Sequence, residues 1–548
     1  MVIGNPPFLG DKKMRSELGD AYTESLRKVY EGRVQGGADL VCYWFEKARK
    51  AIETNGLGAA GLVATNSIRG GKNRVVLEAI LKITRIYEAW SDAGWVNAGA
   101  AVRVSLVAFG HATQSARLDD HPAKLIHADL TPGNAEGSAA DLTTAARLLQ
   151  NVATCFEGIK KYGPFDVPRD IARVWLRQSG NPNKRPNSDV LRAWINATDV
   201  VRKDSDTWAI DFTGLTEQQA VSYEKPFEFA RKNVQPARAN DRNTKTRTQW
   251  WLYERARADM REATANLFRF IVTPVVAKHR IFAWRSAPIL VMNLLDVTAR
   301  ADDTTFGILH SRFHEVWSLR MGTSLEDRPR YTPTTCFETF PFPRGLTPRD
   351  TAHQRTETLE GGAVIPADIS EKKVPFAHVL IEYFAINNVK NEISLLNQSL
   401  EKVSTLPPRK TVGPTPSPSP EMPLRTAAIA IATAAKHLTD LRDNWLNPKE
   451  WTHKVKEVTP LGMDHGPYPD RTEPLPGINE EDLKALQKRT LTNLYNLRPQ
   501  WLTMAHTQLD LAVAAAYGWT DYTADMPDEE ILRRLLALNL ERSATHSS

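Results

Sequence analysis

The residues best suited to chemistry stand near the amino end of the chain, in the run Asn5-Pro6-Pro7-Phe8. The side chain of Asn5 and the backbone of Pro6 each offer a carbonyl acceptor, and Pro6 has no N–H group of its own. Phe8 adds the face of an aromatic ring. Two acceptors beside a ring suit a flat heterocycle with an exocyclic amine, such as a base taken out of its duplex, because the acceptors hold the amine hydrogens while the ring stacks on the base.

The preceding residues predict where this run lies. Val2 and Ile3 favour a β-strand, and Gly4 with the two prolines must end it. Ligands of open α/β sheets bind at the carboxyl ends of strands, which is where Asn5 would stand. The alternative is an ordinary turn, which Asn-Pro sequences commonly form. The position directly after an apolar strand favours the ligand site.

The next hundred residues alternate between the patterns of helices and strands. The polar segment 11–33 predicts a loop with one short helix. Apolar residues at helical spacing predict amphipathic helices over 38–52 and 75–83. Strands are predicted over 61–65, 83–90 and 100–109, the last at the far edge of the sheet. This alternation predicts an α/β fold over residues 1–112, with part of a doubly wound sheet.

Asn5-Pro6-Pro7-Phe8 resembles the catalytic motif of amino-methylating DNA methyltransferases, and Asn with Phe resembles the branch that methylates adenine N6. The order of strand, motif, helix, strand, helix, strand, strand is similar to the second half of the sheet in these class I enzymes. The resemblance implies that these four residues are catalytic and that S-adenosylmethionine is the methyl donor. A Gly-rich turn after a strand would hold that cofactor, and none opens a helix in this chain. Most of the cofactor site is therefore expected to be absent, and a separate polypeptide is expected to supply the amino-terminal half.

Residues 113–162 predict a connecting helical segment, with a helix over 139–152. Residues 163–345 are rich in Trp, Arg and polar turns, and they predict a mixed α/β domain. A basic run over 231–261 contains Trp250 and Trp251. Such a run with interleaved aromatic rings suits a surface that follows DNA phosphates, although a solvated helix face with both tryptophans in the core fits equally well. The predicted DNA-binding residues are Lys184, Arg185, Arg242, Lys245 and Arg247.

Two further segments resemble a narrower family. The run 306–311 and the run from Tyr331 to Pro343 are similar to the close of the target-recognition region in MmeI-like enzymes. These are methyltransferases and single-chain restriction-modification proteins, and related phage-defence methylases share the run. The resemblance implies that residues 163–345 form the target-recognition domain, which binds double-stranded DNA and reads its sequence.

Residues 346–548 predict an α-helical C-terminal domain. It contains a Pro-rich linker over 406–423, which need not pack, and helices are predicted over 376–400, 426–445, 501–517 and 528–542. The chain after residue 489 resembles the helical tail of the same family, which implies a clamp on the duplex opposite the recognition domain. A packing domain without DNA contact is the alternative.

Composition restricts the remaining classes of protein. The chain has 548 residues, whereas single cores stop growing near about 250–300 residues, so several domains are expected. No apolar run approaches the roughly 20 residues of a membrane span, and the amino end is unlike a signal peptide, so no membrane contact and a cytoplasmic location are predicted. The net charge of +6 favours a polyanionic partner only mildly. No metal site is predicted. The cysteines Cys42, Cys155 and Cys336 are expected in the core, and structural roles are expected for His279, His310, His314 and His506.

The leading hypothesis is therefore a site-specific DNA adenine-N6 methyltransferase of the MmeI-like group that serves restriction-modification or phage defence. The alternative is a truncated or split DNA-recognition protein without catalysis, which needs a separate cofactor-binding half.

Overall fold

The computed structural model describes residues 1–97, 100–111, 115–133, 142–178, 180–325, 328–369, 373–375 and 421–545. These residues form two compact units. Unit 1 comprises Met1–Ala146, Leu319–Arg330 and Pro527–Ser548, and unit 2 comprises Arg147–Ser318 and Tyr331–Met526. The predicted domain limits at 112, 162 and 345 stay predictions.

Unit 1 contains a six-stranded sheet in the order β1-β2-β4-β3-β5-β6. The strands are β1 Val2–Gly4, β2 Ala59–Thr65, β3 Arg85–Asn97, β4 Ala100–Gly110, β5 Ala116–Leu118 and β6 His121–Ala123. β1 runs parallel to β2, with Gly4 opposite Leu62, and β4 runs antiparallel to both β2 and β3. The prediction that β4 lies at the far edge is wrong. Its apolar run, with Val104, Val107 and Phe109 buried, is that of a strand with a neighbour on each side.

Four helices accompany this sheet: α1 Asp11–Leu18, α2 Asp20–Val29, α3 Val41–Glu53 and α4 Gly71–Leu81. Phe45 and Ile52 of α3, with Leu77 and Ile80 of α4, are buried in the core of unit 1. The predicted α3 and α4 are confirmed, and so is the α/β alternation. Segment 11–33 differs from its prediction because it contains two helices instead of a loop and one short helix.

The predicted helical connection over 113–162 is wrong in its described part. It contains short strands and 3-10 turns, which are β5, β6, β7 Leu125–Ile126, β8 Pro132–Gly133, the turns Leu142–Thr144 and Leu149–Asn151, and β9 Cys155–Glu157. Residues 139–141 of the predicted helix lie outside the described residues. Leu148 donates its N–H to the carbonyl of Glu338, and the amide of Asn151 donates to the carbonyl of Phe340 at 2.6 Å. These tertiary bonds replace the intrahelical ones, so tertiary context overrides the local helix pattern.

The predicted recognition region forms a mixed α/β core in unit 2. Its two four-stranded sheets have the orders β10-β12-β11-β15 and β14-β13-β16-β9. The strands are β10 Asp166–Val167, β11 Leu191–Ile195, β12 Thr207–Ile210, β13 Arg269–Pro274, β14 Ala283–Ser286, β15 Leu290–Val291 and β16 Leu295–Thr298. The helices are α5 Arg169–Arg177, α6 Ala197–Val201, α7 Glu217–Val221, α8 Glu224–Arg238, α9 Thr244–Thr248 and α10 Ala258–Thr264. Trp208, Phe212 and Val234 are fully buried between these elements.

The chain then becomes largely helical. The elements are α11 Asp303–His310, α12 Arg312–Met321, β17 Thr323–Leu325, β18 Arg328–Arg330, β19 Thr356–Thr358, β20 Val364–Pro366, β21 Lys373–Pro375, β22 Glu421–Pro423, α13 Leu424–Leu446, β23 Thr452–Val455, β24 Arg471–Pro474, α14 Glu480–Lys488, α15 Leu491–Leu497, α16 Gln500–Ala516 and α17 Asp528–Ala544. Helices α13, α16 and α17 confirm three predicted helices. The predicted helix over 376–400 and most of the Pro-rich linker lie outside the described residues. No described helix has the length and hydropathy needed to cross a membrane.

Part of the C-terminal region packs on the recognition core. Val458 and Tyr468 belong to the same apolar core as the two recognition sheets. The ring of Tyr468 packs edge-on against Trp208, with 4.8 Å between the centroids, and its hydroxyl donates to the carbonyl of Leu191 at 3.3 Å. The segment around the β23–β24 hairpin therefore completes the recognition core. This contact joins residues that are distant in sequence, so no local sequence pattern predicts it.

This attachment includes a buried carboxylate whose pH dependence can be measured. Glu457 accepts hydrogen bonds from Arg173 and Arg471, which outweigh burial and lower its pKa to about 2. Because the folded pKa lies below the ordinary value of 4.5, the stabilisation is present above pH 4.5 and is lost as the pH falls towards 2. It amounts to about 3 kcal/mol at most.

We expect the melting temperature of the wild type to fall as the pH is lowered from 5 to 2. The variant Glu457→Gln should lose part of this pH dependence. Glu480→Gln, at a surface residue whose side chain is 81% exposed, is the control and should leave the profile unchanged. Identical pH profiles for Glu457→Gln and the wild type would contradict the assignment.

Candidate functional site

The Asn-Pro-Pro-Phe run follows β1 directly and stands at the carboxyl end of that strand, as predicted. Asn5 is exposed, Pro6 is buried and Phe8 is half-buried. The amide of Asn5 is thus accessible to a ligand, while Pro6 fixes the backbone beside it. Pro7 is exposed, and its carbonyl accepts the N–H of Leu9 at 3.2 Å, which tightens the turn. The roles of these residues in a reaction stay predictions.

A second polar segment lies beside this run, because β1 and β2 are parallel and their carboxyl ends are neighbours. β2 is followed by the 3-10 turn Asn66–Arg69. The side chain of Asn66 donates to Asp92 at 3.2 Å, and Arg103 donates to the same carboxylate at 2.9 Å. Burial opposes the charge of Asp92, but Arg103 leaves the pKa of Asp92 below its usual value. The edge therefore holds an ionised carboxylate beside an amide and a guanidinium.

The loop after Phe8 is anchored by residues that sequence reasoning missed. Asp39, two residues before α3, accepts the N–H of Asp11 at 3.1 Å, and Leu40 donates its own N–H to the carbonyl of Leu9 at 2.9 Å. The carboxylate of Asp11 in turn pairs with Arg27 of α2. The available signal was an acidic residue between the Gly36-Gly37 turn and the apolar start of a helix, which is a common capping position.

The side chain of Lys72 supports a turn of the backbone. Lys72 donates from its ammonium group to the carbonyl of Gly36 at 2.7 Å, which holds the Gly36-Gly37 turn. Its charge is therefore directed at the protein backbone.

The predicted DNA-binding residues form two groups in unit 2. Lys184 and Arg185 are exposed in the loop before β11, where Arg185 pairs with Asp189. This loop reaches the amino end of α8, because the hydroxyl of Tyr223 donates to Asp189 at 3.0 Å. Lys184 forms no ion pair with the described residues, so its ammonium group is open to solvent.

The second group lies at the other end of α8, in and before α9. Arg242, Lys245 and Arg247 are all exposed there, and Arg247 donates to the carbonyl of Asp241 at 2.7 Å. Helix α8 has 15 residues and is therefore about 22 Å long at a rise of about 1.5 Å per residue, and the two groups lie near its opposite ends. The structure thus places Lys184 beside Arg185, and Arg242 near Lys245 and Arg247. It does not bring these two groups together.

Other members of the basic run point inward. Trp250 is buried and donates from its indole to Glu217 at 3.1 Å, and Trp251 donates to the carbonyl of Leu215 at 3.0 Å. Arg238 is 1% exposed and donates to four backbone carbonyls, those of Lys161, Tyr162, Trp250 and Leu252. Trp250 therefore belongs to the core, and the half-buried Trp251 packs against it.

The three cysteines are buried, and so are His310, His314 and His506. Burial raises the pKa of Cys42 to about 12 and lowers that of His314 and His506 to about 3. His314 is hydrogen-bonded to Tyr331 and His506 to Tyr495, whereas His279 is half-buried and is hydrogen-bonded to Asn496. Among the residues that the structure describes, no three His, Cys, Asp or Glu side chains form a cluster that could hold a metal ion.

Comparisons with known proteins identify both parts of this arrangement. The sequence model of the MmeI DNA-methyltransferase domain matches residues 1–120, which carry Asn5 and five of the six strands of the sheet in unit 1. The model of the MmeI target recognition domain matches residues 176–344, which carry both groups of cations.

Two relatives extend the likeness over more of the chain. DNA methyltransferase A of Bacillus subtilis (strain 168) is 23% identical over 417 residues, which are 73% of this chain and 44% of that protein. The chain therefore spans less than half the length of this curated relative. The type IIL restriction-modification enzyme MmeI, solved in complex with DNA, has the same fold, with a TM-score of 0.62 and 16% identity over 99% of this chain and 57% of that one. The chain thus belongs to the MmeI family and carries that family's DNA-methyltransferase domain and target recognition domain.

Proposed function

We propose that the chain is a site-specific DNA methyltransferase that modifies adenine N6 in duplex DNA, with S-adenosylmethionine as donor, in restriction-modification or phage defence. The observation that carries this proposal is the accessible Asn5 at the carboxyl end of β1, within the domain matched to the MmeI methyltransferase. The scattered cysteines fit a reducing compartment, and we propose a cytoplasmic location.

The residues after β1 can orient an exocyclic amine. The side-chain carbonyl of Asn5 and the backbone carbonyl of Pro6 accept the two amine hydrogens, so the nitrogen lone pair turns towards an electrophile. Phe8 stacks on the ring of the flipped adenine, and Pro7 keeps the turn rigid. The nitrogen is itself the nucleophile, so no covalent bond to the protein is required.

S-adenosylmethionine supplies an electrophilic methyl group when it is bound. The described residues fit the amine side of this reaction. The described strands β1 and β2 end together at the site, and neither is followed directly by a Gly-x-Gly turn that opens a helix and could hold the cofactor. We therefore assign no residue of the described chain to cofactor binding.

The open edge of β1 favours a second candidate function. β1 pairs only with β2 among the described strands, and the side chains of Val2 and Ile3 are 42% and 75% exposed. Such an edge is a template on which another strand can pair. The second candidate is a DNA-recognition protein that does not methylate unless a separate polypeptide completes the sheet and holds the cofactor.

One experiment separates these functions. Calorimetry with S-adenosylmethionine and transfer of a labelled methyl group to mixed-sequence duplex DNA are measured with the full chain, alone and with a polypeptide carrying the Gly-rich half of a family methyltransferase. We expect weak cofactor binding by the chain alone and formation of N6-methyladenine after the addition. Methylation at cytosine would overturn the adenine assignment. DNA binding without methyl transfer in either mixture would favour the recognition protein.

A further inference from the structure

Asp39 is hydrogen-bonded to three separate segments near the carboxyl ends of β1 and β2, where Asn5 lies. One carboxylate oxygen accepts the N–H of Asp11 at 3.1 Å. The other accepts the hydroxyl of Ser67 at 3.1 Å and the side-chain amide of Asn73 at 2.7 Å. Asn73 is buried and returns a bond, because its own carbonyl oxygen accepts the N–H of Asp39 at 2.8 Å. The Asp39 carboxylate is therefore fixed from both sides.

These bonds hold the loop that follows the Asn-Pro-Pro-Phe run. Upstream, the run is fixed by the pairing of Gly4 with Leu62. Downstream, Leu9 is held by the N–H of Leu40 and Asp11 by the carboxylate of Asp39. The loop between Gly4 and Asp11 is thus anchored at both ends, and the carboxylate of Asp39 supplies one of its downstream anchors.

The same carboxylate fixes the neighbouring turn. Ser67 lies in the 3-10 turn after β2, and its hydroxyl also lies 2.7 Å from that of Thr65. Asp39 therefore sets the position of the loop after β1 relative to the turn after β2. These are the two segments that meet where the strands end.

Only a carboxylate suits this arrangement. All three groups that approach the side chain of Asp39 are donors, and they approach both oxygens. An asparagine would turn an NH₂ group towards at least one donor and lose that bond. Hydrogen bonds to an ionised acceptor are also the stronger kind.

We propose that Asp39 is a positioning residue for the transfer reaction, whose carboxylate holds the loop of Asn5, Pro6 and Phe8 in its productive geometry. The inference rests on the proposed function. Asp39 acts through the loop and does not touch the amine. A displacement of about 1 Å in an active site costs about 100-fold in rate, so the loss of this anchor is expected to lower turnover strongly.

The test compares Asp39→Asn with the wild type under conditions in which the wild type transfers methyl groups. We expect kcat to fall 10- to 100-fold, KM for DNA to stay within twofold, and hydrogen exchange of the amides of residues 9–11 to accelerate at least tenfold. The double variant Asp39→Asn with Asn73→Asp exchanges the two partners and should recover part of the turnover. Glu78→Gln, an equal change of charge in α4 beside Arg74, should change neither kcat nor the exchange.

The outcomes separate this inference from the function on which it rests. Wild-type turnover in Asp39→Asn, measured below its melting temperature, overturns the positioning role. A lower melting temperature with unchanged kcat also overturns it, because it shows a purely structural role. A wild type that transfers no methyl group overturns the proposed function and the catalytic part of this inference. In that case the anchoring of the loop is still tested by hydrogen exchange, and it is overturned if the amides of residues 9–11 exchange at the same rate in Asp39→Asn and in the wild type.

Discussion

Asn5→Ala is expected to lower the turnover number for methyl transfer by two or more orders of magnitude while DNA affinity stays nearly constant. The removed carbonyl accepts an amine hydrogen, and that bond strengthens only as the nitrogen attacks. Loss of one preorganised polar group of this kind costs about 100- to 1000-fold in kcat. The exposed position of Asn5 limits the effect on folding, so the variant should melt near the wild-type temperature.

Single-turnover methyl transfer and DNA binding, measured on the same preparations, check this expectation. Gln35→Ala removes another exposed side-chain amide from unit 1 and should retain wild-type turnover. An equal loss of DNA affinity and turnover would place Asn5 in DNA binding instead of the transfer step. Unchanged methylation by Asn5→Ala would refute its assignment as a catalytic residue.

Reversal of Arg242, Lys245 and Arg247 to Glu is expected to weaken binding to duplexes of every sequence by about tenfold or more near physiological salt. All three side chains are exposed around α9, and phosphate contacts from such cations supply affinity without sequence preference. Each lost contact should also lower the slope of log affinity against log salt by about 1, so the triple variant should lose about 3.

Fluorescence anisotropy across a series of salt concentrations measures both quantities. The matched control reverses Lys82, Arg117 and Lys124, three exposed cations of unit 1, and produces the same change in net charge. A loss of affinity common to both triple variants would mean that only the total charge matters. Retention of affinity and salt slope by the α9 variant would show that this run is a solvated surface.

The sequence alone determined the local elements and the position of the Asn-Pro-Pro-Phe run. Alternation of apolar residues and helical spacing are local properties, so β2, α3, α4, α13, α16 and α17 follow from short stretches of chain. Gly4, Pro6 and Pro7 end β1 through their own backbone restrictions, which places Asn5 at the strand end without any distant contact.

Only the tertiary structure decided which residues meet across long distances in the chain. It placed β4 inside the sheet, Tyr468 against Trp208, and the carboxylate of Asp39 on the loop after Phe8. It also divided the basic run, because a cation such as Arg238 can be buried when backbone carbonyls satisfy its donors, whereas Arg242 remains in solvent. The type of a residue determines whether its side chain can carry charge or stack on a base. Burial and hydrogen-bond partners decide whether it is available to do so, and these partners can be distant in sequence, as Tyr468 and Leu191 are.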